Sequence, residues 1–472
     1  MQDPQARIEG LGKDDFIDDV AQIEVREISS GKGHISASPG SDRRGSLGRD
    51  LEPDIIYDAS GRPGWRVRIP GSRPLATPAV VGGRVFIGGG FGSHEFYALD
   101  LETGRLLWSL KTKDDGPTAA TVVDGFVAFN TESCTVYVVE AETGRSVWER
   151  WLGDPLLAQP ALDGSSLFMV YPDNKGRHWL AAFDLRTGTE QWKAEIVADV
   201  ITAPILADGG VYAATIDGTV YHIDRETGQP HWAINHQATS APWVRAGKVY
   251  LSLREEEKQE GESFTVEGVD TVDLEAGARG SQRAHARRKA DYLKFDSGSW
   301  AARAYQAFDG SVGFASAPLS AKLHFAKAHL GHATVASMWS YQGSRPEVFD
   351  DGIFSVMGDA VQRLDLGTRK PLWRSRLKFG DKERLGRVLS PPAVTASRLY
   401  LVSALGDLIA LDRSSGDELW SLNVGSEILS QAAVAEGKVV FGTVQGDLYA
   451  FETGDADPRG WPMWGGGPGH NG

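Results

Sequence analysis

Three histidines that lie close together are the residues that come nearest to a metal site. His324, His329 and His332 fall within nine residues, and neutral imidazole is a common ligand of Zn²⁺ and Cu²⁺. Their spacings of five and three residues do not match a helical pair of metal ligands, and Gly331 interrupts any helix between them. No acidic residue lies nearby to complete a coordination shell. We therefore predict no metal ligand in this segment.

The other motifs that could carry chemistry are incomplete. Cys134 is the only cysteine, which excludes an internal disulfide, a multi-cysteine metal site and a CxxC redox motif. The glycines at 88–92 resemble a phosphate-binding loop, but no Gly-Lys-Ser/Thr follows them. The chain also lacks the G-x-S-x-G element of a hydrolase. The sequence therefore predicts no catalytic residue and no cofactor-binding residue.

Composition excludes further classes of protein. The 472 residues include 49 Lys or Arg and 63 Asp or Glu, a net charge of −14, whereas nucleic-acid binding needs clustered positive charge. No run of 18 apolar residues could form a membrane-spanning helix. Residues 1–15 contain no apolar signal-peptide region. Either the protein is cytosolic, or an export signal has been removed upstream and a start Met added.

A phrase that recurs along the chain indicates the fold. In six segments an acidic residue precedes a tryptophan by eight positions. These anchor phrases are LDLETGRLLW (99–108), VEAETGRSVW (139–148), FDLRTGTEQW (183–192), IDRETGQPHW (223–232), LDLGTRKPLW (364–373) and LDRSSGDELW (411–420). VDLEAG (272–277) and FETG (451–454) are weaker copies. The eight anchors, most of them 40 to 49 residues apart, predict eight structural repeats.

Each repeat carries the pattern of four antiparallel strands. Residues 202–224 are typical: an apolar run ends at Leu206, and a turn follows at 208–210. Val211–Ala214 and Thr219–Ile223 then read as two strands joined by an Asp-Gly hairpin turn. The anchor phrase supplies the fourth strand. Four strands in about 40 to 45 residues are typical of a β-propeller blade.

Each residue type in the anchor phrase has a structural role. Its glycine can take a positive φ at no steric cost, and its acidic and threonine side chains can bond the N–H groups of the turn. The tryptophan then lies on the outer strand, where its ring can pack against the next repeat. We predict such blade-docking tryptophans at Trp65, Trp108, Trp148, Trp192, Trp232, Trp373 and Trp420.

The ends of the chain suggest how the ring closes. Residues 63–71 look like an outer strand without its own three inner strands, while the eighth repeat reaches only its third strand, at Leu448–Phe451. We expect the N-terminal strand to complete blade eight, which removes open sheet edges. Trp461 is a rival for the same position. The predicted fold is all-β, an eight-bladed propeller of four-stranded antiparallel blades closed by an N-terminal strand.

These phrases resemble the tryptophan-docking repeats of the quinoprotein, or PQQ-like, β-propeller superfamily, over roughly residues 60–465. The resemblance implies one of two branches. Quinoprotein alcohol and glucose dehydrogenases hold pyrroloquinoline quinone (PQQ) and Ca²⁺ at the centre of the propeller. BamB-like proteins share the ring, lack the cofactor and act as scaffolds in outer-membrane assembly.

The resemblance to the BamB-like branch is preferred. Many of the dehydrogenases carry an adjacent Cys-Cys pair that this chain cannot form, and none of their calcium ligands can be matched here. We therefore expect a non-catalytic scaffold, without cofactor, that binds another protein in the bacterial envelope. The alternative is a PQQ- and Ca²⁺-dependent oxidoreductase acting on an alcohol or sugar. A third possibility is a module that binds carbohydrate or an envelope polymer through aromatics such as Trp300 and Trp339.

Two insertions interrupt the repeats, and loops on a rigid scaffold usually carry function. The first, at about 254–295, opens with acidic residues and continues with a basic stretch that includes Arg283, Arg287 and Arg288. It is interpreted either as a docking patch for an acidic partner or as an exposed helix or outer strand that balances local acids. The second, at 296–343, offers the apolar contacts Leu319, Leu323 and Phe325. These contacts serve either a partner or packing on blades five and six.

Residues 1–52 are expected to form a flexible tether before the propeller of 53–472. Within the tether, residues 14–23 form a short amphipathic helix candidate that begins with acidic residues. We expect a monomeric ring in the periplasm or at the outer membrane, with a lipid anchor upstream of residue 1, although a cytoplasmic location stays open.

Overall fold

The computed structural model describes the greater part of the chain. The described residues are 25–29, 35–37, 50–90, 92–131, 135–153, 158–200, 203–215, 217–236, 238, 240–259, 262–275, 284–289, 345–357, 360–378 and 389–455. For 37, 253–259, 262–268, 284–289, 357 and 378 only the course of the backbone is described. The histidines, Cys134, Trp300, Trp339 and Trp461 considered above lie outside these ranges.

Eight four-stranded antiparallel blades form the ring, which confirms the predicted fold. From the innermost to the outermost strand, blades one to four are β5 (Ala79–Val81), β6 (Arg84–Gly88), β7 (Glu95–Asp100) and β8 (Leu106–Lys111); β9 (Thr121–Val123), β10 (Phe126–Asn130), β11 (Thr135–Glu140) and β12 (Ser146–Trp151); β13 (Ala161–Leu162), β14 (Ser166–Pro172), β15 (His178–Asp184) and β16 (Glu190–Ile196); and β17 (Ile205–Ala207), β18 (Gly210–Ala214), β19 (Thr219–Asp224) and β20 (Pro230–Asn235).

The second half of the ring follows the same order. Blades five to eight are β21 (Trp243–Arg245), β22 (Lys248–Gln259), β23 (Glu262–Asp273) and β24 (Ala284–Lys289); β25 (Glu347–Phe349), β26 (Gly352–Met357), β27 (Ala360–Leu364) and β28 (Pro371–Lys378); β29 (Ala393–Val394), β30 (Arg398–Val402), β31 (Asp407–Asp412) and β32 (Glu418–Asn423); and β33 (Ala433–Ala435), β34 (Lys438–Gly442), β35 (Asp447–Glu452) and β4 (Pro63–Arg68). Within the described residues, no helix is long and apolar enough to cross a membrane.

Burial explains the composition of the strands. The third strand of blade one, β7, is buried along its whole middle because neighbouring blades cover both of its faces, and its central residues are accordingly apolar or aromatic. The outer strand β8 alternates between exposed and half-buried residues. Each blade therefore contributes its middle strands to a continuous core, and its outer strand faces solvent at the rim.

The N-terminal strand closes the ring as predicted. β4 pairs antiparallel with β35, with Val67 opposite Leu448 and Trp65 opposite Ala450. Val67 is fully buried in a cluster that contains residues of blades one and eight. The first strand of the ring is thereby joined to the last by both backbone hydrogen bonds and side-chain packing.

Three further strands lie outside the ring, two of them within the segment where a tether was expected. β1 (Val25–Ser29) adds to the outer strand of blade six in parallel, and β2 (Ser36–Ala37) with β3 (Asp54–Tyr57) adds to that of blade eight. Ile28 of β1 is buried. Arg26 forms an ion pair of 2.8 Å with Asp417 of blade seven. These contacts hold part of the N-terminal segment against three consecutive blades.

The ring has two faces that differ in their connections. We call anchor face the side that carries the anchor phrases and the turns between first and second strands. The crossover face carries the turns between second and third strands and the links from each outer strand to the next blade. The hairpin between β22 and β23 projects from the crossover face, and the chain leaves β24 at Lys289 and re-enters β25 at Glu347 on the same face.

A truncation series tests the closure. Deleting residues 1–50 removes β1 and β2 but leaves β4, so the cooperative thermal unfolding transition should persist with a modest loss of stability. Deleting residues 1–70 also removes β4, which exposes the edge of β35 and opens the apolar cluster around Leu448 and Ala450 that Trp65 and Val67 fill. We expect that variant to lose the cooperative transition or to self-associate, as measured by circular dichroism and analytical ultracentrifugation. Similar melting of the two variants would contradict the closure.

Candidate protein interface

The anchor phrases fold into one repeated turn. In blade one the Asp100 carboxylate accepts hydrogen bonds from the backbone N–H (2.8 Å) and the hydroxyl (2.6 Å) of Thr103. The hydrogen bond from the Thr103 side chain contributes most to lowering the pKa of Asp100. Asp184, Asp224 and Asp365 make the same pair of bonds to the threonine three positions on. The acid and the threonine of the motif are therefore explained by the turn itself.

Six of the seven tryptophans predicted to dock blades form a hydrogen bond with the anchor turn of the following blade. In six cases the indole N–H donates to the carbonyl of the residue that follows the acid, at 2.8 to 3.2 Å. The pairs are Trp65–Leu101, Trp108–Ala141, Trp148–Leu185, Trp192–Arg225, Trp232–Leu274 and Trp373–Arg413. One aromatic ring thus both covers the neighbouring blade and satisfies one of its turn carbonyls.

The anchor glycine is required by the ring that lies against it. Gly144 has a φ of +70°, and a β-carbon built on it would lie 2.6 Å from the indole of Trp108. Gly416 has a φ of +76°, and its β-carbon would lie 2.5 Å from Trp373. Any side chain here would displace the indole of the preceding blade. The glycine and the tryptophan of successive repeats therefore form one structural unit.

Blade six shows what happens where the preceding indole is missing, because blade five has no tryptophan on its outer strand. The glycine position is there occupied by Arg369, which keeps the positive φ (+61°) and is 6% exposed. Its guanidinium donates to the Leu366 carbonyl at 2.7 Å, the position that accepts an indole N–H in six other blades. It also lies 5.0 Å from the ring of Tyr250 in blade five. Arg369 thus replaces the absent indole both in volume and as a donor.

The closing seam between blades seven and eight is the second exception. The indole N–H of Trp420 is buried and has no hydrogen-bond partner among the described residues. The guanidinium of Arg62 stacks on its ring at 4.0 Å and donates to the Glu452 carbonyl at 2.9 Å. The carbonyl of Thr453, the equivalent acceptor, is bonded instead by Arg398 at 2.6 Å. Arg62 of the N-terminal segment and Arg398 of blade seven therefore hold this seam together.

The crossover face carries the most exposed large apolar side chains. Trp151, at the end of β12, and Val197, just after β16, are each 63% exposed. They belong to the neighbouring blades two and three, at the ends of the outer strands that open onto the crossover face. Exposed aromatic and aliphatic side chains of this kind are typical anchors in protein interfaces.

The predicted partner-binding residues fall in two groups. Arg287 and Arg288 lie on β24, the outer strand of blade five, so the basic stretch forms a strand there rather than a helix. Arg283, Leu319, Leu323 and Phe325 lie outside the described residues. The binding role of all six stays a prediction.

Three small apolar side chains meet near the centre of the ring. Ala76, Ala119 and Ala203 form one apolar cluster that joins the approaches to blades one, two and four. Since blade four is not adjacent to blades one and two, this contact lies at the middle of the ring. Small side chains at these positions let the blades converge.

A buried arginine and a buried glutamate at the start of blade six were not predicted from the sequence. Arg345 donates to the Pro242 carbonyl at 2.8 Å and lies 5.2 Å above the ring of Trp243. Burial lowers the pKa of Arg345 to about 9 and raises the pKa of Glu347 well above its usual value. The sequence did contain a sign of this arginine, in the phrase SRPEVF. The other repeats carry Ala, Thr, Gln or Pro at the position of Arg345.

The described residues near the centre do not fit PQQ and Ca²⁺. A calcium ion needs several oxygen ligands, mostly ionised carboxylates. Glu347, a buried acid on the first strand of blade six, is kept in its neutral form by burial. Within the described part of the chain, no group of three or more His, Cys, Asp or Glu side chains could hold a metal ion. These residues support no step of quinone chemistry.

The chain matches a model of a known protein family. A family model described as outer membrane protein assembly factor BamB matches residues 52–153, 132–256 and 358–460, more than half of the chain. The chain belongs to the BamB family. The predicted resemblance is therefore confirmed.

Individual relatives agree with this assignment. BamB of Burkholderia pseudomallei is 24% identical over 341 residues, which cover 67% of this chain and 79% of that protein. The crystal structure of BamB from Moraxella catarrhalis superposes with a TM-score of 0.52 at 13% identity, over 82% of this chain and 96% of that one. Quinohemoprotein alcohol dehydrogenase ADH-IIG of Pseudomonas putida is 26% identical over 251 residues, 48% of this chain and 29% of that enzyme.

The docking hydrogen bond can be tested by a matched pair of substitutions. Trp108→Phe removes the indole N–H that bonds Ala141 while it retains an aromatic ring, and we expect a loss of about 1 kcal/mol in the free energy of unfolding. Trp420→Phe is the control, since its indole N–H has no such bond among the described residues, and it should lose less than half as much. Equal losses in urea denaturation would contradict a docking role for the hydrogen bond.

Arg369 offers a test in which the sign of the effect is decisive. Arg369→Gly restores the glycine of the other anchors and relieves the positive φ, which alone would stabilise by about 1 kcal/mol. If Arg369 replaces the missing indole, the substitution instead destabilises the protein by about 1 to 2 kcal/mol, because the Leu366 carbonyl loses a charged donor. Arg105→Gly, at an exposed arginine of the anchor phrase in blade one, is the control. Stabilisation by Arg369→Gly in urea denaturation would refute the replacement.

Proposed function

We propose that this chain is a non-catalytic scaffold of the bacterial envelope that presents the crossover face of its propeller to another protein. Membership in a family described as an outer membrane protein assembly factor supports this most directly. The crossover face supports it further, since both long insertions emerge there and Trp151 and Val197 are exposed there. The partner in this proposal is a component of outer-membrane protein assembly.

The location follows from the same proposal. A scaffold of this kind acts in the periplasm or at the inner surface of the outer membrane. We propose that a lipid anchor upstream of residue 1 attaches it there, and that the N-terminal segment leads from the anchor to the rim of blade six, where β1 is bound. The ring itself is proposed to be monomeric.

A quinoprotein oxidoreductase is the second candidate, because a quinohemoprotein alcohol dehydrogenase is among the relatives. The packing of Ala76, Ala119 and Ala203 and the buried Arg345 and Glu347 weigh against it. An active site for the dehydrogenase reaction would need space and ionised ligands at this position.

Site-specific cross-linking tests the scaffold. A photoreactive amino acid at Val197, on the crossover face, should give one cross-linked product in the native envelope, identified by mass spectrometry as an outer-membrane assembly protein. The same amino acid at Leu107, which is 47% exposed at the anchor end of β8, is the control and should give none. Cross-links to unrelated proteins from both positions would contradict the scaffold. A quinone absorbance band with dye-linked alcohol oxidation, on addition of PQQ and Ca²⁺, would establish the enzyme instead.

A further inference from the structure

Blade five has strands that continue beyond the ring. β22 and β23 are 12 residues each, whereas the corresponding strands of blade four have five and six. The additional residues, about six per strand at about 3.3 Å each, project roughly 20 Å from the crossover face. The turn between these two strands belongs to that face.

The outer strand of blade five is displaced along this extension. In blade four the outer strand begins next to the anchor, with Pro230 opposite Ile223. In blade five β24 begins opposite Val269, four residues from the anchor Asp273, and ends opposite Phe264. Most of β24 therefore pairs with the part of β23 that lies beyond the ring. We call the three segments 254–259, 262–267 and 284–289 the blade-five ribbon.

The ribbon has an outer edge that no described strand pairs with. β24 is bonded to β23 on one side only, and it is the last strand of its sheet. The outer strands of blades six and eight are instead covered by β1 and β3 of the same chain. An uncovered strand presents a row of backbone N–H and C=O groups that can accept another strand.

The edge strand β24 is positively charged. β24 reads AHARRK, with three cationic residues and no acid, in a chain of net charge −14. Arg287, Arg288 and Lys289 occupy consecutive register positions opposite Val266, Thr265 and Phe264. The edge therefore combines positive charge with backbone groups that no strand of the described residues pairs with.

We propose that the outer edge of β24 receives an extended acidic segment of a partner protein as a fifth strand of blade five. This inference rests on the proposed scaffold function and specifies the chemistry of the partner. The molecule already shows this mode of addition at blade six, where β1 pairs with β28 over five residues. There the added strand is also tied by side-chain contacts, from Arg26 to Asp417 and from the Ser29 N–H to Glu418. At blade five the complementary charge would supply those ties.

Binding of a synthetic peptide tests the inference on the full chain. The probe is the capped octapeptide (Glu-Thr)₄, labelled with a fluorophore, with binding measured by anisotropy at low and high salt. We expect saturable binding that weakens with salt. Two versions N-methylated at alternate residues keep the charge but block one backbone edge each. One of the two should lose at least tenfold in affinity, and the other should not.

Protein variants locate the binding edge. Arg287→Glu with Arg288→Glu should weaken binding of (Glu-Thr)₄ at least tenfold, with the circular dichroism spectrum unchanged. The control is Lys111→Glu with Lys193→Glu, which reverses two cations on the outer strands of blades one and three and should leave binding intact. Because Arg287→Glu with Arg288→Glu could disturb the ribbon, Arg287→Gln with Arg288→Gln is measured as well, with an intermediate loss expected.

Four results would overturn the inference. Equal binding of both N-methylated peptides would show attraction by charge without strand addition. Binding that appears only after deletion of residues 1–24 would show that the acidic N-terminal segment of the chain itself occupies the edge. Self-association lost in Arg287→Glu with Arg288→Glu, without peptide binding, would identify a second copy as the occupant. If the Val197 cross-link forms while the peptide does not bind, the scaffold function stands and this inference fails.

Discussion

The contact of an indole ring with the anchor turn of the next blade is the constraint from which the rest of the structure follows. The ring needs a neighbour without a β-carbon, so the anchor carries glycine, as Gly144 does against Trp108. Its N–H needs an acceptor, so the turn must present a carbonyl, and the acid and threonine hold that turn in shape. One local motif therefore fixes the relation between two blades, and its repetition fixes the ring.

The two exceptions show that the constraint acts on volume and hydrogen bonding rather than on residue identity. Arg369 fills the place of an absent tryptophan and bonds the same carbonyl position. At the closing seam, Arg62 lies on Trp420 while Arg398 takes the turn carbonyl. The motif thus changes at two places in the ring. One is beside blade five, whose strands are extended, and the other is beside blade eight, which the N-terminal strand completes. Blade five, which carries no tryptophan on its own outer strand, is also the blade that extends beyond the ring.

The fold was predictable from the sequence because its determinants are local and repeated. The spacing from acid to tryptophan, the hairpin turns and the isolated strand at 63–71 sufficed for eight blades and their closure. The site was less predictable, because it depends on residues that occur once. Arg345 meets the ring of Trp243 only after blades five and six are packed together. The strand nature of β24 and the parallel addition of β1 also depend on pairing between distant segments.

Hydrogen exchange at the indole N–H groups tests the central claim most directly. With ¹⁵N-labelled tryptophan and resonances assigned from single Trp→Phe variants, two-dimensional NMR reports each indole separately. The six docked indoles, in Trp65, Trp108, Trp148, Trp192, Trp232 and Trp373, should exchange slowly and at similar rates, because they open only when two blades separate. The exposed Trp151 should exchange fastest, and Trp420 faster than the six. Fast exchange at several of the six, with blades otherwise folded, would show that the indole contacts do not hold the ring together.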